Sequence, residues 1–149
     1  MKDFYTEIFI NAPSDQVWKA FVGPNQFFMA FFQADIRSTF KTGDRIEYAG
    51  MCKGQEVVYI YGEVLEYEEG KLLSYTDHPR PIYKENHADL QSRVRVTLES
   101  LGQSTRMTLK NDQFTKDNPM QEEARQWYLI LSNFKTWLET GNLMDIPNQ

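Results

Sequence analysis

Phe4, Thr6, Ile8 and Ile10 alternate with Tyr5, Glu7 and Phe9, the period-two signature of a strand with one well-buried side. Asn11-Ala12-Pro13 ends that segment. Ser14 is the expected N-cap of a short helix running to Val22, with Asp15 in its first turn and Val17, Trp18 and Phe21 as its apolar stripe. Gly23-Pro24 stops it. Residues 25–32 then read Asn-Gln-Phe-Phe-Met-Ala-Phe-Phe. This run is apolar all round, so its period decides nothing. We read it as a second short helix capped by Asn25, which must be buried on most sides or border a cavity.

Extended segments follow at 35–40, 44–50, 57–67, 72–77, 91–99 and 105–113, punctuated by Gly-containing turns. Ile46 and Tyr48 share a face. Val94, Val96 and Leu98 point inward while Arg93, Arg95 and Thr97 point outward, and Met107 and Leu109 continue the inner face. In 57–67 both faces are apolar enough that the direction of Glu63 stays open. Turned inward it would be a buried carboxylate with a raised pKa and a candidate general base; turned outward it is a solvent-side Glu on a bulged strand. The stretch 77–90 holds both histidines, two prolines and several charges, and is expected to be a long loop.

The C-terminal pattern is the clearest. Asn118 is a candidate N-cap, Pro119 fits the first helical position, and Gln121 completes a capping box. Met120, Ala124, Trp127, Leu131, Phe134 and Leu138 recur at four-three spacing, and Gly141 follows. This predicts one helix over 119–140 with a continuous buried stripe. Consecutive strands with short turns imply an antiparallel sheet. One long amphipathic helix covers its concave face, and the N-terminal helices close one end. The 149 residues favour one domain over the whole chain, 1–149.

Composition narrows the function. Apolar residues make up 41% and charged residues 25%, as in ordinary soluble domains. Ten Phe, eight Tyr and three Trp suit either a bulky core or the walls of a pocket. The net charge of −5 comes without any basic run, which argues against nucleic acid and against an anionic membrane surface. A lone Cys52 allows no intrachain disulfide. No segment reads as a signal peptide or a membrane span, so a cytoplasmic location is expected.

Several local signatures, in order, resemble the activator-of-Hsp90-ATPase-like family within the START/Bet v 1-like superfamily. They are Asn11-Ala12-Pro13 followed by Val17-Trp18, Gly62-Glu63-Val64-Leu65-Glu66, and Leu73-Ser74-Tyr75-Thr76. Thr105-Arg106-Met107-Thr108-Leu109, Trp127 and Leu138-Glu139 complete the set. The resemblance spans nearly the whole chain. It implies an α+β helix-grip fold: a curved antiparallel sheet of six or seven strands around a long C-terminal helix, with two short N-terminal helices. Three positions depart from the pattern. Thr42-Gly43 stands where Gly-Gly is common, Asp77 where an aromatic residue is frequent, and Asn111 where a His is frequent. The last two would make a cavity floor more polar.

The resemblance implies binding of an apolar or aromatic small molecule between sheet and helix, without catalysis. Phe28, Phe31 and Phe32 would stand near the mouth with the 77–90 loop. Tyr48, Tyr75, Asp77, Met107, Asn111, Trp127, Leu131 and Phe134 would contact the ligand. Asn111 shares the parity of Met107 and Leu109 and should present its amide inward. An enzyme using acid/base groups in the same cavity, and a co-chaperone-like interaction module, are the alternative classes; further partners would be a second copy of the chain in a homodimer and a chaperone. Two converging, pKa-perturbed groups would mark the enzyme, and a large exposed apolar patch the module. No cofactor is expected. His78, His87 and Asp89 are too few and too scattered to predict a metal, and nucleophile or phosphate-loop motifs are missing.

Overall fold

Seven strands pair in the order β1-β7-β6-β5-β4-β3-β2, every neighbour antiparallel. They are β1 (Phe4–Ile10), β2 (Ala34–Ser38), β3 (Arg45–Cys52), β4 (Gln55–Glu68), β5 (Leu72–Pro79), β6 (Ser92–Leu101) and β7 (Ser104–Asp112). Helix α1 (Ser14–Val22) follows β1. Helices α2 (Met120–Glu123) and α3 (Gln126–Thr140) follow β7. The computed structural model describes residues 3–23, 34–81 and 85–145. The helix expected over 25–32, with Phe28, Phe31 and Phe32, lies outside the described residues. Among the described residues no helix is long and apolar enough to cross a membrane.

Short hairpins impose the antiparallel order. Cys52 pairs with Gln55 across Lys53-Gly54, and both turn residues have positive φ, 52° and 79°. Such a turn matches the right-handed twist of the strands it joins. Leu101 pairs with Ser104 across Gly102-Gln103, where Gly102 alone has positive φ, 64°. The alternation read in β1, β6 and β7 matches the burial observed. Ile10, Val94, Val96, Leu98, Met107 and Leu109 are buried, and Tyr5 and Phe9 lie on the outside of edge strand β1.

Strand β4 carries two bulges. Tyr48 pairs with Ile60 but Ala49 with Val58, so Tyr59 is the extra residue; Val64 pairs with Tyr75 but Glu66 with Ser74, so Leu65 is the second. Each extra residue switches the parity of the strand. Between the bulges, Ile60, Gly62 and Val64 pair with or next to the buried Tyr48, Ile46 and Tyr75. Glu63 is therefore exposed, and its N–H donates to the Thr76 hydroxyl oxygen at 3.0 Å. A side chain at position 62 would place its Cβ 1.7 Å from the Thr76 carbonyl oxygen, so only glycine lets β4 and β5 approach this closely.

One helix start and one helix interior differ from expectation. In α1, Pro13 occupies the N-cap position without a side-chain cap, and Ser14 is already helical. The rigid φ of Pro13 sets the entry to the helix instead. At the C-terminus Asn118 does cap: its Oδ1 accepts the Met120 N–H at 3.0 Å. Its Nδ2 also donates to the Gln91 carbonyl at 3.0 Å, which ties the start of the helix to the sheet. The predicted single helix is interrupted at Ala124 and Arg125. Both keep helical dihedrals, but the Trp127 and Tyr128 N–H groups bond to Ala124 and Arg125 carbonyls three residues back. The ladder tightens to 3₁₀ spacing for one turn there. Beyond it, Trp127, Ile130, Leu131 and Phe134 are buried against the sheet. Gly141, at φ 81°, closes α3 with its N–H on the Trp137 carbonyl.

Leu131 is 1% exposed, so Leu131→Ala is expected to cost about 2–5 kcal/mol. Asn118→Ala loses a cap and the tie to Gln91 and should cost about 1–2 kcal/mol. Urea midpoints of the two variants should rank in that order. The reverse ranking would mean that the helix is held by its N-terminus and not by its buried face.

Candidate functional site

The tightened turn between α2 and α3 stands over a pocket of about 100 Å³. Met120, Glu123, Ala124, Gln126, Trp127 and Ile130 form its helical side; Tyr48, Ile60, Asp77 and Asn111 form its sheet side. Glu123 and Gln126 are exposed and mark the mouth. Most of the remaining lining is apolar or aromatic, as expected for a small-molecule site.

Its polar floor is built across three neighbouring strands. Asp77 on β5 is 4% exposed, Ser92 on β6 1%, and Asn111 on β7 3%. The Ser92 hydroxyl donates to Asp77 Oδ1. The Asn111 amide nitrogen donates to Ser92 Oγ at 3.0 Å and to the Arg93 carbonyl at 2.9 Å. A backbone carbonyl only accepts, so the Arg93 contact fixes which end of the amide is nitrogen. The relay therefore has one direction, Asn111 to Ser92 to Asp77.

Burial pushes the Asp77 carboxyl up from 3.8 to about 6, with the Ser92 hydrogen bond and the charge on His78 acting the other way. Burial, and then the charge on Asp77, hold the Tyr75 phenol well above its ordinary value. Tyr75 stays neutral at physiological pH. Its hydroxyl finds no hydrogen-bond partner among the described residues.

Of the residues singled out from the sequence, the pocket brings together Tyr48, Asp77, Asn111 and Trp127. Tyr75 is not among its lining residues; it packs edge-on against Tyr48 with ring centroids 5.9 Å apart. Met107, Leu131 and Phe134 are fully buried in the core, and Phe134 meets Phe21 at 6.1 Å. Ile60, Glu123, Gln126 and Ile130 also line the pocket, and Met120 and Ala124 of the helical stripe join them. Ile130 lies three residues beyond Trp127 and could have been found from helical spacing. Ile60 was hidden by the bulges on either side of it.

Both histidines are elsewhere. His78 belongs to β5 and not to a loop, and it points away from Asp77 because neighbouring strand residues face opposite sides. It stacks on Tyr61 at 4.9 Å. The Tyr61 hydroxyl is hydrogen-bonded to His87 Nδ1, and Arg45 lies 4.6 Å from the Tyr61 ring centre. Among the described residues, no three His, Cys, Asp or Glu side chains gather as metal ligands would.

A buried carboxyl raised from 3.8 to about 6 binds a proton more tightly in the folded chain than in the unfolded one. Its effect on stability is absent below pH 4 and grows as pH rises towards 6, and it is destabilising. The size is on the order of 3 kcal/mol at pH 7. Asp77→Asn removes this step. Urea unfolding between pH 4 and pH 7.5 should show the variant close to the parent at pH 4 and more stable at pH 7. A parallel pair of curves would mean that Asp77 ionises normally.

Among curated proteins the sequence finds no match. The fold is widely shared. The chain resembles the solution structure of ChR145 from Cytophaga hutchinsonii at 24% identity and TM-score 0.71, over 95% of this chain and 96% of the other. The Aha1 dimer of Colwellia psychrerythraea matches at 16% identity and TM-score 0.67, over 95% and 99%. Ara h 8.0201 matches at 14% identity and TM-score 0.65, over 92% and 97%. These likenesses concern the fold: a curved seven-stranded antiparallel sheet gripping a C-terminal helix. Residues 11–139 match the family described as Activator of Hsp90 ATPase homolog 1-like protein, and the chain belongs to that family.

Proposed function

We propose that this protein binds an apolar or aromatic small molecule in the pocket beneath the α2–α3 turn, without transforming it. The observation that carries the reading is the Asp77–Ser92–Asn111 relay at the floor of an otherwise largely apolar pocket. A core built for stability alone would not keep a destabilising carboxyl there. A volume of about 100 Å³ suits a single ring, with the rest of a larger ligand leaving past Glu123 and Gln126.

Magnitudes show what the ligand needs. Enclosing a ring with roughly 120 Å² of apolar surface gains about 3 kcal/mol. That alone is weaker than millimolar binding, so the polar floor must supply much of the affinity and selectivity. Catalysis would require a second perturbed group converging on the ligand. Asp77 is the perturbed acid lining the pocket, and Tyr75 sits behind Tyr48. Binding therefore stands ahead of acid/base chemistry. The exposed large apolar side chains, among them Tyr5 and Phe9 on β1, Met51 on β3, Leu101 on β6, Tyr128 on α3 and Leu143 beyond it, are spread over five parts of the chain, which weakens the reading as an interaction module. A cytoplasmic location fits the same picture, and a homodimer like that of the Colwellia protein is compatible with it.

Ala124 is 6% exposed and lines the pocket. Ala124→Phe should fill it and abolish the saturation-transfer NMR signal of benzyl alcohol, while the far-UV spectrum stays native. If the parent protein gives no such signal, or the filled variant binds as well as the parent, the pocket is not a ligand site.

A further inference from the structure

We propose that the ligand of this pocket carries a hydrogen-bond-donating cationic head, a protonated amine on an aromatic or aliphatic body. The proposal rests on the binding function inferred above and specifies the ligand's chemistry.

The direction of the relay is the first argument. Both Asn111 N–H groups are used, one on Ser92 Oγ and one on the Arg93 carbonyl. The Ser92 hydroxyl hydrogen is used on Asp77. The capacity left on these side chains is all acceptor: the Asn111 amide oxygen and the Asp77 carboxylate. A ligand carbonyl or carboxylate would meet acceptors facing acceptors. A ligand N–H or O–H completes the set.

Charge is the second argument. Burial pushes the Asp77 carboxyl up to about 6, which leaves it ionised at pH 7.5. Glu123 stands at the mouth, and no Lys, Arg or His lines the pocket among the described residues. The basic residues next in sequence to Asp77 and Ser92 point to the other face of the sheet. His78 is stacked on Tyr61, and Arg93 is held in a two-point pair with Asp112 at 2.8 and 2.6 Å. Among the described residues the pocket therefore holds a buried negative charge with no cation lining it, a cost that a cationic ligand would offset. Trp127 and Tyr48 are aromatic walls, and electron-rich rings attract ammonium groups. An anionic ligand would bring a second negative charge into a site of low dielectric.

Benzylamine, benzyl alcohol and benzoate share a ring and differ in the head. Their affinities for the full chain at pH 7.5, from saturation-transfer NMR titrations, should rank amine above alcohol above benzoate, with at least tenfold between amine and alcohol. Asp77→Asn should bring the amine down to the level of the alcohol and leave the alcohol within about twofold. Glu123→Gln, at an exposed position that cannot affect folding much, should weaken the amine by a smaller factor than Asp77→Asn does. Binding of the alcohol with no preference for the amine, or a preference that survives Asp77→Asn, overturns the cationic head while leaving the pocket as a binding site. Binding of none of the three removes both.

Discussion

A curved sheet with an apolar concave face cannot remain uncovered in water, and every later feature of this molecule follows from how one helical segment covers it. The inner faces of β3 to β7 present Ile46, Tyr48, Val64, Leu73, Tyr75, Val94, Val96, Met107 and Leu109, all buried. Helix α3 answers with Trp127, Ile130, Leu131 and Phe134. Burial of this kind is the dominant favourable term in folding. It also fixes where the fit is imperfect. The buried side chains of α3 fall between Trp127 and Phe134. The misfit gathers at the α2–α3 turn, and the pocket is there.

The pocket and the core impose opposite demands on the same strands. Tyr75 and Asp77 are two residues apart on β5 and face the same side. The first is sealed in the core, and the second keeps a carboxyl at the pocket floor. Ser92 and Asn111 satisfy that carboxyl's neighbours from the next two strands. The polar floor thus belongs to the sheet, while the mouth belongs to a tightened helical turn. Asn118 couples the two. It caps the helix with one end of its amide and holds the Gln91 carbonyl, next to Ser92, with the other.

Much of the fold was legible because its signals are local. β1, β6 and β7 alternate without interruption, so parity alone placed Val94, Met107 and the inward Asn111. Asn118, Pro119 and Gly141 punctuate the C-terminal helical region by their own chemistry. β4 was not legible in the same way. Bulges at Tyr59 and Leu65 reverse its parity, and apolar residues on both faces hid the reversal. Glu63 stayed ambiguous for that reason until pairing with Arg45 and the N–H bond to Thr76 set its direction. The break at Ala124 and Arg125 left no trace in the pattern, because both residues keep helical dihedrals and only the hydrogen-bond spacing changes. Of the candidate site, Asp77, Asn111, Tyr48 and Trp127 could be named from parity and family resemblance. Ser92 could not, since a serine at a strand start looks like any surface residue until a buried carboxyl is found beside it.

The pairing of β1 with β7 sets a schedule for the nascent chain. Phe4 lies opposite Asn111 and Ile10 opposite Thr105, so the earliest strand to be made waits for the latest before either side of its ladder exists. Synthesis at about 5–20 residues per second leaves β1 unpaired for several seconds. During that time the meander from β2 to β6 can assemble hairpin by hairpin, but the trough has no far wall for the helix to enter. Closure is therefore a late, long-range event, and chains with such distant pairings fold in milliseconds to seconds, slower than helical bundles. Tyr5 and Phe9, harmless on the finished edge, are carried through that interval on an open strand, with Glu7 between them as the charge that discourages a second chain from pairing there first.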